Sequence, residues 1–130
     1  MAVKLIFDDN VSFVTVKAIG PGSITDLRQA YEELLSDPRF VKGANVLWDI
    51  TESKSKMPSL TQIRIFQQWI KSTLTLRGTG YRAAIAVNQT YEYGLARLFE
   101  VYLEGMPLTF RAFRNRKQAI EWLTATREKK

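Results

Sequence analysis

Apolar positions in this chain fall in short runs, and the other runs are arranged around the one from Ala44 to Glu52, ANVLWDITE. Val46, Leu47 and Trp48 follow Gly43 and lead into Asp49 and a polar stretch. A short continuous run of β-formers bounded in this way predicts a strand covered on both faces. Asp49 then falls at its C-terminal end, where ligands gather in open α/β sheets.

Two β-rich runs come first, Val3 to Phe7 and Val11 to Ile19, with Asp8-Asp9-Asn10 between them as a hairpin turn. In the second run Phe13, Thr15 and Lys17 alternate with Val14, Val16 and Ala18, so one face is expected to be more buried than the other. Gly20-Pro21-Gly22 is expected to break that strand. Ser23 or Thr25 caps a first helix with Asp26 in its first turn, and Ile24, Leu27, Tyr31, Leu34 and Leu35 recur at helical spacing until Asp37-Pro38 stops it. Phe40 is expected to fold back on the core.

Beyond a polar loop from Thr51 to Lys56, Pro58 and Ser59 introduce a second helix running to about Leu76, ended by Arg77-Gly78-Thr79-Gly80. Leu60, Ile63, Phe66, Ile70 and Leu74 form its core stripe. Arg82 to Val87, RAAIAV, is another buried strand. Asn88-Gln89-Thr90 caps a third helix, in which Tyr91, Leu95, Leu98, Phe99 and Tyr102 share a face, and Gly105-Met106-Pro107 ends it. Leu108 to Phe113 is the last strand. Asn115 caps the last helix, with Ala119, Ile120 and Leu123 inward.

The predicted order is ββαβαβαβα. It implies an α/β fold: a mostly parallel five-stranded sheet with right-handed crossovers, an antiparallel first edge strand and four main helices. Residues 1–130 contain no internal repeat, low-complexity segment or linker, and 130 residues suit a single domain.

Composition removes whole classes of chemistry. Histidine and cysteine are absent, so Ser-His-Asp and Cys-His nucleophilic arrangements are impossible and most zinc sites go with them. No metal and no cofactor is expected. Gly78-x-Gly80 lies between a helix and a strand and lacks the third glycine of a dinucleotide loop. Asp49 and Glu52 could serve as an acid–base pair, but two carboxylates at that spacing are common, and the chain is not read as an enzyme. The amino terminus lacks the apolar region and cleavage site of a signal peptide, no run is long enough to span a membrane, and a cytoplasmic location is the expectation. The net charge of +6 favours anionic partners. Part of that excess is Arg127-Glu128-Lys129-Lys130, which also reads as a solvated helix end suited to the helix dipole.

Several stretches resemble one family. They are Gly22 with Thr25-x-Leu27, Asp37-Pro38-Arg39-Phe40 before Gly43, VLWDIT, YGLARLFE from Tyr93 to Glu100, and FRAFRNRKQAIEWL from Phe110 to Leu123. Together with the order of elements, they are similar to the small bacterial SpoIIAA-like proteins of STAS/SEC14 type, over nearly the whole chain. The resemblance implies the SpoIIAA-like fold, shared by STAS domains and more distantly by Sec14-type lipid-binding domains. It implies action by binding proteins or small ligands, without catalysis. Anti-sigma antagonists of that fold carry a phosphorylatable serine, usually followed by glycine, just after the central strand. Here Asp49 to Ser55 contains no Ser-Gly pair, and no phosphoswitch is assigned.

Two sets of candidate residues follow. Parallel strands would gather Asp49, Thr51, Ser53, Asn88, Thr90, Arg114 and Asn115 at their C-terminal ends, before helix N-termini whose free N–H groups favour an anion. The same residues can instead be plain caps, with Asp49 accepting loop N–H bonds or pairing with Arg114. On the second helix, Ile65, Trp69 and Leu76 fall together away from the core stripe at about 100° per residue. That second stripe is either an interface or is covered by a neighbouring helix.

The sequence reading is thus a binding or regulatory module of STAS-like type, homodimeric through Trp69, acting on a partner protein or small ligand. The alternatives are a carrier or sensor of an apolar, lipid-like ligand, which requires an apolar cavity, and nucleic-acid binding. The latter requires Lys54, Lys56, Arg64 and Lys71 to form one basic patch.

Overall fold

A computed structural model of the chain describes residues 1–55, 59–88 and 90–125. Lys56, Pro58, Gln89 and Arg127 to Lys130, all named above, lie outside these residues, as do the side chains of Thr90 and Tyr91. Five strands form one sheet in the order β1-β2-β3-β4-β5: β1 Ala2–Ile6, β2 Phe13–Gly22, β3 Asn45–Ser55, β4 Arg82–Ala86 and β5 Thr109–Phe113. β1 is antiparallel to β2, and every other pair is parallel. The helices are α1 Ile24–Ser36, α2 Leu60–Ser72, the single turn α3 Leu74–Arg77, α4 Thr90–Tyr102 and α5 Arg116–Thr124. Among the described residues no helix is long and apolar enough to cross a membrane.

Side chains alternate across the strands, and each face receives its own cover. Val14, Val16 and Val46 meet Ala30 and Leu34 of α1. Farther along the same face, the aromatic rings of α2 and α4 close over Trp48 and Phe110. Phe13, Leu47, Ala84 and Ala86 point the other way and pack on Ala119 and Leu123 of α5. The tight approach of α5 rests on the alanines of β4 and α5, whose small side chains let helix and sheet come close. Arg82 of β4 donates through Nη1 to the carbonyls of Trp122 and Ala125, at 2.7 and 3.0 Å, and so satisfies the C-terminal end of α5.

Three boundaries differ from the sequence reading. Gly20-Pro21-Gly22 does not break β2, which runs through Gly22 beside Ser53, Lys54 and Ser55. Pairing with β1 stops at Ile19, so Pro21 lies on an open edge, where a missing N–H is tolerated. For the same reason Thr51 to Ser55 is strand and not loop: β3 outruns β4, which pairs only as far as Asp49, and continues against β2 alone. Finally, α2 ends at Ser72 rather than near Leu76. The Thr73 hydroxyl donates to the carbonyls of Trp69 and Ile70, closing the last turn, and α3 starts anew. Leu60, placed in the core stripe by spacing, is 53% exposed because it sits in the first turn, while Ile63, Phe66 and Ile70 are buried.

Candidate functional site

Asp49 is buried but committed to neighbours within the chain. One carboxylate oxygen accepts from the Thr51 amide at 3.1 Å and from the Thr51 hydroxyl at 2.7 Å, and the other lies 3.4 Å from Arg116 Nε. One extra residue in β3 between Asp49 and Glu52, against Lys17 and Ile19 of β2, turns the Thr51 donors back onto the carboxylate. Asp49 is therefore within the strand and not at its tip, and its cation is Arg116 rather than Arg114. Glu52 pairs with Lys17 at 2.7 Å, which raises the lysine's pKa through the hydrogen bond and the charge together.

The other strand-end residues are dispersed. Ser53 is buried beside Gly20 in the two-stranded extension. Asn88 is exposed. Arg114 is exposed with its guanidinium 4.7 Å from the Tyr93 ring centroid. Asn115 caps α5 by accepting from the Gln118 amide at 2.8 Å. The N-terminus of α1 is closed by its own Asp26, whose carboxylate accepts from the Ser23 amide at 2.8 Å. Among the described residues, Asp49 and Thr51 are brought into contact.

The interface candidates separate as well. Ile65 and Leu76 are 52% and 62% exposed. Trp69, by contrast, turns inward: its ring stands edge-on to Tyr31 of α1 at 4.7 Å and to Phe66 at 5.9 Å, with the Arg28 guanidinium 5.2 Å from its centroid. The neighbouring helix α1 packs on Trp69 and leaves it half-buried, so the three residues do not form one outward stripe.

A concave site lies elsewhere, between the sheet and the helices of the α1, α2 and α4 face. A cavity of about 130 Å³, partly open to the surface, is walled by Trp48 and Ile50 of β3, Ile85 of β4, Phe110 of β5, Tyr31 of α1, Phe66 and Ile70 of α2, and Ala96 and Phe99 of α4. Its walls are almost wholly apolar. The aromatic rings around it meet edge-on or tilted, as aromatic pairs prefer, Phe66 and Phe99 at 5.5 Å and 80°.

Among the described residues, one charged side chain lines this cavity. Arg77, the last residue of α3, is 2% exposed, and its guanidinium carbon lies 3.3 Å from the ring centroid of Tyr81 and 5.5 Å from that of Phe40. Its Nη1 and Nη2 reach no acceptor in hydrogen-bond geometry among the described residues, and the hydroxyl of Tyr31 has no such partner either, although the Tyr31 and Tyr81 hydroxyls lie near enough to the guanidinium to favour its charge. Burial pushes the Tyr31 and Tyr81 phenols up and pulls the guanidinium down, although an arginine remains charged. The backbone fixes this position: Gly43 donates to the Arg77 carbonyl at 2.8 Å. A Cβ on Gly78 would fall 2.5 Å from the Gly43 nitrogen, so only glycine permits that approach. Sequence reasoning missed Arg77 because a basic residue in a last helical turn reads as a partner for the helix dipole. Its burial depends on α3, Phe40 and Tyr81 converging.

No family model matches the sequence, and no curated protein matches it. In three dimensions the chain is similar to the crystal structure of an uncharacterized protein of the DUF3478 family with a SpoIIAA-like fold, from Shewanella loihica PV-4. The match has a TM-score of 0.58 and 20% sequence identity, and covers 94% of this chain and 92% of that one. With its single antiparallel edge pair, four parallel-linked strands and helices on both faces, the fold is SpoIIAA-like.

Proposed function

We propose that the protein is a non-catalytic binding module that holds a small apolar ligand in the cavity between the sheet and α1, α2 and α4. The observation that carries this reading is the cavity itself. Protein interiors are close-packed, and an apolar void of about 150 Å³ is large enough to take up benzene. A void of about 130 Å³ with walls contributed by four helices and three strands is of ligand size. The dispersal of the strand-end residues, and the commitment of Asp49 to Thr51 and Arg116, leave the apolar reading better supported than an anion site at the strand ends.

Titration with hexanol, followed by amide chemical shifts, tests this reading. Shifts should concentrate at Trp48, Phe66, Ala96 and Phe110. Ala96→Leu, which puts a larger side chain into the cavity, should abolish them and raise stability by about 0.5–2 kcal/mol. Shifts elsewhere, or equal binding by the filled variant, would count against the cavity.

The same module is proposed to pair with a second copy of itself. Outward-facing Ile65 and Leu76, on adjacent elements, support that second reading.

A further inference from the structure

We infer that Arg77 anchors the head of the ligand, and that the ligand is a small apolar monocarboxylate; this rests on the cavity reading above. A guanidinium has two kinds of surface. Its faces are satisfied by aromatic rings, and Tyr81 and Phe40 supply them here. Its edge carries N–H groups lying in the plane, and stacked rings do nothing for those. Arg77 Nη1 and Nη2 are buried with no acceptor in hydrogen-bond geometry, the neutral hydroxyls of Tyr31 and Tyr81 are the polar groups near them, and no ion pair among the described residues includes Arg77. A buried charge without hydrogen bonds is costly and calls for a partner, and a ligand in the cavity that Arg77 lines can supply one.

The missing partner is defined by what is present. A carboxylate is planar and accepts two parallel N–H bonds from a guanidinium. The unpartnered Tyr31 hydroxyl, on the same cavity, can donate a further bond to it. Arg77 is the one charged residue among the described residues that line the cavity, so a monoanion neutralises the site, whereas a phosphate dianion would leave a charge uncompensated. Ile70, Phe66 and Phe110 then receive the apolar tail. The volume suits a tail of a few carbons or a single ring.

The test compares hexanoate, hexanol and hexyl phosphate on the full chain by calorimetric titration, with Arg77→Met and Tyr31→Phe as variants. Wild type should bind hexanoate at least about tenfold tighter than hexanol, the worth of one charge-assisted hydrogen bond. Arg77→Met should bring the two ligands level, and Tyr31→Phe should narrow the gap. Equal binding of hexanoate and hexanol by wild type overturns the anchor and leaves the apolar cavity standing. Failure of both to bind overturns the cavity reading with it. Tighter binding of hexyl phosphate, or a hexanoate preference undiminished in Arg77→Met, also overturns the assignment. If Arg77→Met does not fold, the wild-type ratio and Tyr31→Phe decide.

Discussion

Asp49 and Arg77 are both buried charges, and their surroundings give them opposite roles. Asp49 has two donors from Thr51 and a cation in Arg116, so its charge is met within the chain. Replacing it with alanine removes the acceptor of the Thr51 donors and the ion pair with Arg116. Asp49→Ala is expected to lower stability by roughly 1–3 kcal/mol in denaturant titration, and an unchanged midpoint would mean those contacts contribute nothing. Glu100 of α4 is a third case. Burial raises its pKa above the ordinary 4.5, and the Arg97 charge at 3.2 Å only partly opposes this. The folded state therefore holds this proton more tightly than the unfolded chain does. The stability it contributes is complete below the ordinary carboxylate value and is lost as pH rises through the higher folded value. Glu100→Gln should therefore stabilise the protein at neutral pH, by less than about 1 kcal/mol because the Arg97 pair is partly exposed. The gain should vanish below pH 4.5. Melts across that window that stay parallel for the two proteins would remove the effect.

At the scale of elements, the break between α2 and α3 matters most. A continuous helix to Leu76 would align Ile65, Trp69 and Leu76, whereas the turn closed by Thr73 puts Leu76 on a new axis and leaves Trp69 against α1. Trp69→Glu is therefore expected to destabilise the fold itself, by about 1–3 kcal/mol, because it removes a half-buried ring packed on Tyr31 and Phe66. It is the wrong probe of self-association. Ile65→Glu, at an exposed helical position, should change stability by no more than about 0.5 kcal/mol. In sedimentation, wild type is expected to run as a dimer and Ile65→Glu as a folded monomer. A monomeric wild type at high concentration removes the dimer, and a dimer indifferent to Ile65→Glu and Leu76→Glu moves the interface elsewhere.

For the whole molecule, the sheet divides a close-packed face from a loosely packed one. On the α5 side Ala84, Ala86 and Ala119 bring helix and strands together with Leu47 and Leu123 filling the gaps. On the other side Tyr31, Trp48, Phe66, Phe99 and Phe110 hold the helices off the sheet, and β4 offers only Ala83 and Ile85 beneath them. The cavity lies between these large rings and the smaller side chains of β4.

The fold was legible in the sequence because its signals are local. Apolar runs of strand length, helical periodicity between them, and caps such as Ser23 and Asn115 each depend on residues a few positions apart, and their order alone specifies a largely parallel sheet. Asp49 was legible as a buried carboxylate for the same reason, with an acid following an apolar run. Its cation was not, because Arg116 and Arg114 are equally near in sequence and only the approach of α5 chooses between them. The cavity and Arg77 belong wholly to tertiary structure. Tyr31, Phe40 and the stretch from Arg77 to Tyr81 are separate in sequence, and no hydrophobic periodicity relates them. Whether a guanidinium is solvated or buried is decided by what folds over it, and here that is two aromatic rings and a helix turn held by the Gly43 and Gly78 backbones.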